Sequence, residues 1–131
     1  MGRRALVAAN WKMHGQKAQV ASLAKALLTG LAEISRVEVL ICPPAVYLAQ
    51  IQAAFKGSDI GIGAQNVYPE DQGAFTGEIS ASMLQEFACS HVIVGHSERR
   101  LHFGEADAQV AARFTAVQKH KLIPILCVGE S

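Results

Sequence analysis

No stretch of the 131 residues is apolar for long enough to span a membrane, and none carries a run of one charge. The apolar run nearest the N-terminus, Ala5-Leu6-Val7-Ala8-Ala9, follows Arg3 and Arg4 but stops at Asn10, well short of a signal-peptide core. Leu6 stands where a myristoylation pattern requires Ser or Thr, so Gly2 is not read as a lipid anchor. Twelve Lys and Arg against eleven Asp and Glu leave a formal charge of +1, and the bases are scattered. The basic footprint of a nucleic-acid partner is therefore missing. Cysteine is scarce: Cys42, Cys89 and Cys127 are far apart and form no CxxC or CxxH unit, a pattern of thiols in a reducing compartment, with the cytoplasm the simplest home. Low-complexity tracts and linkers are absent too, so residues 1–131 are expected to lie within a single domain.

What the chain does have is apolar residues, 50% of the total, enough for a sizeable core. They alternate between short β-type runs and helical spacing. Strands are expected over residues 6–9, 37–42, 60–64, 92–94 and 122–128. After the first, Val20, Leu23, Ala24, Leu27, Leu28, Leu31 and Ile34 recur at three- and four-residue intervals, predicting one apolar helical stripe, with Gly30 weakening its last turns. Pro43 and Pro44 end the second strand, and Pro44 suits a first helical turn before Leu48, Ile51, Ala54 and Phe55. A long loop over 68–77 precedes a helix expected to present Ile79, Met83 and Phe87. Such loops tend to be functional or to dock on something. A further helix over 105–120 is expected to turn Val110, Phe114 and Val117 inward.

This βα alternation predicts parallel strands with ligand chemistry at their C-terminal ends. Either an open doubly wound sheet or part of a (β/α)₈ barrel satisfies it. The open sheet expects a glycine-rich turn after the first strand, where this chain has Asn10-Trp11-Lys12. Gly61-Ile62-Gly63 comes nearest to a dinucleotide fingerprint, but Asn66 occupies the third glycine position.

Chemistry concentrates after the fourth strand. Val92-Ile93-Val94, with no polar alternation, should be covered on both faces, and it empties into Gly95-His96-Ser97-Glu98-Arg99-Arg100. Ser97 can cap a helix and Glu98 suits its positive end, so His96 is expected beside a helix N-terminus, where a neutral ring able to donate a hydrogen bond is favoured. A strand-end histidine satisfied by backbone would look the same in isolation, as Lys12 would resemble a solvated loop lysine and Asn10 a turn residue. His14, His91, His102 and His120 lack the i, i+3 or i, i+4 spacing of a zinc site and are read as structural or surface residues, so no metal is expected. Arg99 and Glu105 are candidates for a structural ion pair.

Taken together, Ala9-Asn10-Trp11-Lys12-Met13, Cys42-Pro43-Pro44, Gly63-Ala64-Gln65-Asn66, Gly73-Ala74-Phe75-Thr76-Gly77-Glu78, the stretch from Val92 to Arg100 and Cys127-Val128-Gly129-Glu130 closely resemble the triosephosphate isomerase family. The resemblance runs the length of the chain and implies an α/β fold, the (β/α)₈ TIM barrel, represented by its N-terminal β/α units with five parallel strands. It also implies interconversion of dihydroxyacetone phosphate and glyceraldehyde 3-phosphate through an enediolate, without metal or cofactor. In that family Lys12 corresponds to the cation facing the substrate, Asn10 and Trp11 to substrate-binding positions, and His96 to the electrophile that polarises the carbonyl. The family is itself the standing example of a histidine kept neutral by a helix N-terminus, so its agreement with the reading of His96 is not an independent test. Glu98 corresponds to the carboxylate ordering Lys12 and the His96-Ser97 turn. Phe75 and Thr76 lie on the loop that inserts beside the active site of a neighbouring subunit.

A barrel of this kind typically needs about 250 residues. The family's general base and phosphate-binding amides follow its sixth to eighth strands, beyond the five units found here. The isolated chain is therefore expected to be nearly inactive and to associate, as a homodimer or with a complementing C-terminal chain. A structural or association module without catalysis is the other reading.

Overall fold

A computed structural model describes residues 2–129, so Glu130 of the last motif and Ser131 lie outside the described residues. Two compact units divide the chain, Met1–Gly63 and Ala64–Ser131.

In the first unit, β1 (Ala5–Asn10) leads through a loop to α1 (Lys17–Gly30), then β2 (Val37–Cys42), a 3₁₀ turn (Ala45–Tyr47), α2 (Leu48–Phe55) and β3 (Gly61–Ala64). β1 and β2 are parallel and in register from Ala5 opposite Val37 to Asn10 opposite Cys42. β2 continues into β3 through Leu40 opposite Gly61 and Ile41 opposite Ile62. Asn10 thus ends its strand level with Cys42. Leu40, Ile41 and Cys42 of β2 are buried, as are Val20 and Ala24 of α1 and Leu48, Ile51 and Phe55 of α2. The helical stripe is narrower than its spacing suggests. α1 closes at Gly30, where Leu31 caps it by donating its N–H to the Leu27 carbonyl, so Ile34 falls outside the helix and is exposed. Pro44 stands one place earlier than expected: extended at ψ 146°, it caps the 3₁₀ turn instead of entering the first turn of a helix.

The second unit contains α3 (Ala81–Glu86), β4 (Cys89–Val94), α4 (Ser97–His102), α5 (Asp107–Lys119) and β5 (Ile123–Leu126). β4 and β5 are parallel from His91 opposite Ile123 to Val94 opposite Leu126. Val92, Ile93 and Val94 are all buried, as their unbroken apolar run requires. Three expectations need correction. Ser80 accepts the Met83 N–H at 3.2 Å, which starts α3 at Ala81 and turns Ala81 and Leu84 inward; Met83 and Phe87 are exposed. Ile79 belongs instead to the closure of the preceding loop, its carbonyl accepting the Tyr68 N–H at 2.8 Å. α5 begins at Asp107, where Gln109 accepts the Ala106 N–H at 2.7 Å; it buries Val110 and Val117 but only half-buries Phe114, while Arg113 is buried beside them. β5 is shorter at both ends than the run 122–128.

Val7 on β1 and Ile123 on β5 remain 56% and 54% exposed, so both strands carry apolar side chains in contact with solvent. Among the described residues, no helix is long and apolar enough to cross a membrane.

Cys89, at the start of β4, is buried, and desolvation raises its thiol from an ordinary value near 9 to about 11. The unfolded chain ionises this thiol first. The resulting stability is complete below about pH 9 and is lost as pH climbs through the folded value near 11. Urea unfolding from pH 8 to 11.5 should show a steeper alkaline decline for the parent chain than for Cys89→Ala. Parallel declines would contradict this.

Candidate functional site

Polar side chains follow the end of β1 in the first unit and the end of β4 in the second. At the end of β1, the Trp11 N–H donates to the Cys42 carbonyl at 3.0 Å, carrying the β1–β2 ladder one residue beyond the strand. Asn10 Oδ1 accepts the Lys12 N–H at 2.9 Å. That short turn holds Lys12 at φ +54°, a left-handed conformation that a long side chain adopts at a cost of about 1–2 kcal/mol. Lys12 is exposed, and Trp11 lines an apolar cavity of about 350 Å³ together with His14, Gly15, Gln19, Val20 and Leu23. Asn10, Trp11 and Lys12 are therefore assembled by one strand end and one side-chain hydrogen bond.

At the end of β4 the chain turns through Gly95, which is left-handed at φ +70°. A Cβ there would meet Val110 Cγ1 at 2.8 Å, so both backbone sign and α5 packing demand glycine. His96 follows and caps α4 itself. Its Nδ1 accepts the Glu98 N–H at 3.1 Å, whereas Ser97 is the first residue of the helix and not its cap. A ring nitrogen that accepts a backbone N–H carries no proton, so the proton of the neutral imidazole is on Nε2. The ring is thereby prepared to donate from Nε2. Glu98 sits in the first turn of α4, where its charge meets the helix dipole.

Arginines fix this helix. Arg100 Nε donates to the Gly95 carbonyl at 2.9 Å and its Nη1 reaches Asp107 Oδ1 at 2.6 Å, tying both the turn before His96 and the start of α5 to α4. Arg99 Nε pairs with Glu105 Oε2 at 2.5 Å, as its sequence position suggested, and stacks over the Phe103 ring at 4.8 Å. Arg113, which sequence reasoning passed over, donates from Nε to the Val67 carbonyl at 2.9 Å and lies 4.0 Å from the same Glu105 oxygen. Its one available signal was its spacing, three residues after Val110 on the inward face of α5.

Phe75 and Thr76 lie on the loop 68–77. The Phe75 ring packs on Tyr68 with centroids 4.5 Å apart, and Gly73 permits this because a Cβ there would meet Phe75 at 2.7 Å. Thr76 is exposed at the tip. His120 Nε2 meets Asp71 Oδ1 at 2.6 Å and anchors the loop to the end of α5. The polar residues accordingly form two groups, Asn10, Trp11 and Lys12 in the first unit and His96 with Glu98 in the second. Among the described residues, no group of three or more His, Cys, Asp or Glu is placed to hold a metal ion.

Comparison with known proteins gives a consistent result. A family model described as triosephosphate isomerase matches residues 5–131. The triosephosphate isomerase of Thiobacillus denitrificans is 57% identical over 129 residues, covering 98% of this chain and 51% of that protein. The one from Alcanivorax borkumensis is 53% identical over 131 residues, covering 100% of this chain and 51% of its own length. A crystal structure of triosephosphate isomerase from Bartonella henselae superposes with a TM-score of 0.91 at 40% identity, over 98% of this chain and 53% of that one. The chain spans about half the length of the curated relatives it matches.

Proposed function

Because the chain belongs to the triosephosphate isomerase family and carries five parallel strands of its (β/α)₈ barrel, we propose that it supplies half of an active site interconverting dihydroxyacetone phosphate and glyceraldehyde 3-phosphate. The observation that carries this reading is the hydrogen bond that His96 Nδ1 accepts from the Glu98 N–H. With Nδ1 occupied by the Glu98 N–H, only Nε2–H is available to a substrate, and it donates to the carbonyl oxygen that becomes the enediolate oxygen. Lys12, held by Asn10, presents an ammonium to the substrate oxygens and phosphate. Asn10 and Trp11 orient the triose, and Glu98 orders Lys12 and the turn at His96. The proton moves between adjacent carbons, so neither metal nor cofactor is required.

The base that takes that proton and the amides that hold the phosphate belong to the family's C-terminal units, which lie outside these 131 residues. A general base contributes about 10² to 10⁴ in rate, so the chain alone should turn over poorly. We place both units in one barrel domain, since a single family model runs through them without interruption. Phe75 and Thr76 serve a homodimer interface, and the free thiols suit a cytoplasmic enzyme. The exposed apolar side chains of β1 and β5 support a second reading, an association module without catalysis.

An isomerase assay separates the two. Activity absent from the chain alone but present after mixing with a polypeptide carrying the family's remaining units is the expected result. Association without activity would leave only the second reading.

A further inference from the structure

We propose that Tyr47, seconded by Gln50, is a positioning residue that holds the Lys12 loop in its left-handed turn. The proposal rests on the reading of Lys12 as the cation that faces substrate. The loop between β1 and α1 is fastened at its start by Trp11 on Cys42 and by Asn10 on Lys12. Its far end is held from the other side of the unit. Tyr47 Oη donates to the Gly15 carbonyl at 2.9 Å, and Gln50 Nε2 donates to the Lys17 carbonyl at 2.8 Å. The Tyr47 ring also lies flush on Gly15, where a Cβ would come within 2.8 Å of Cε2.

Tyr47 ends the 3₁₀ turn, and no residue of that turn is buried in the core. The ring is therefore spent on the loop. Gln50 stands three residues further on, within the first turn of α2, so both donors share one face. Both reach main-chain carbonyls, which fixes the backbone and leaves the loop side chains to other work. A left-handed residue other than glycine persists only where its surroundings over-determine it, and Lys12 sits between these two anchors. Releasing the second anchor lets φ of Lys12 relax toward negative values and swings the ammonium away. Misplacement of a binding group by about 1 Å can cost about 10²-fold in rate.

The test uses the 131-residue chain, labelled with ¹⁵N, as parent, Tyr47→Phe, Tyr47→Ala and Gln50→Ala. Amide exchange at Lys12 reads the turn, exchange at Val39, Leu40 and Ile41 reads the fold, and Trp11, the only tryptophan, gives an independent fluorescence signal. Loss of one hydrogen bond should speed Lys12 exchange about fivefold in Tyr47→Phe, and loss of the ring as well should exceed about tenfold in Tyr47→Ala, with β2 unchanged. The dissociation constant for dihydroxyacetone phosphate, measured after assembly with a polypeptide carrying the family's remaining units, should rise in the same order. Unchanged Lys12 exchange in both Tyr47 variants would overturn the proposal, as would an equal loss of protection in β2, which marks a purely structural role. Faster Lys12 exchange with no ligand binding even in the parent so assembled would uphold the anchoring and remove the substrate reading instead. If Tyr47→Ala fails to fold, Tyr47→Phe, which keeps the ring, still decides the matter.

Discussion

His96→Asn should leave the fold intact and reduce isomerisation about 10²- to 10³-fold when the chain is assembled with the family's remaining units. Asparagine is among the best N-cap residues, and its Oδ1 can accept the Glu98 N–H that Nδ1 now accepts at 3.1 Å. The substitution therefore preserves the cap and removes the Nε2–H donor that the proposed function directs at the substrate carbonyl. His96→Ala removes both. It should lose comparable activity and, in addition, about 1 kcal/mol of stability through the lost cap. Denaturation and initial-rate measurements on the two variants separate these contributions. Near-parental activity in His96→Asn would show that His96 serves only as the cap of α4, and the assignment of an electrophile would have to move elsewhere.

The elements legible in the sequence were those whose signals are local. Val37–Cys42 was recovered to the residue because an apolar run meets two prolines, whereas only Val92–Val94 of β4 was legible, since burial on both faces leaves no polar alternation there while Ser90 and His91 interrupt its first half. Helix faces were less legible where a cap shifts the phase. Ser80 moves the start of α3 so that Ala81 and Leu84 face inward, a one-residue change that reverses the roles of Leu84 and Met83. The candidate site shows the same division. Asn10, Lys12, His96 and Glu98 were singled out because each lies at or just after the end of an apolar strand, where parallel sheets deliver chemistry. The second anchor of the Lys12 loop was not, since Tyr47 and Gln50 act on backbone carbonyls more than thirty positions earlier, and nothing in their local pattern points to Gly15 or Lys17. Arg113 was missed for a related reason: its neighbours on α5 are apolar, and its partners lie on two other segments.

Glu105→Leu is expected to destabilise the chain by about 3 kcal/mol, the lower end of the range for breaking a buried ion pair. The Glu105 side chain is only 3% exposed and stands between two guanidinium groups, Arg99 at 2.5 Å and Arg113 at 4.0 Å. Removing it strands positive charge beside the core, most severely on Arg113, whose side chain is 10% exposed and committed to the Val67 carbonyl. Two features limit the loss. Arg99 retains 28% exposure and can hydrate, and the second oxygen of Glu105 is buried without a hydrogen bond among the described residues, so the native arrangement already carries a desolvation cost there. Glu105→Gln, which keeps the shape and one acceptor, should cost roughly half as much. Because Arg99 lies on the helix that His96 caps, the damage should reach the site: amide exchange at Glu98 should accelerate in Glu105→Leu more than in Glu105→Gln. A double-mutant cycle with Arg99→Ala should return about 1–3 kcal/mol of coupling. Zero coupling would mean that the Arg99 contact adds nothing and that Glu105 is held in place by Arg113 alone.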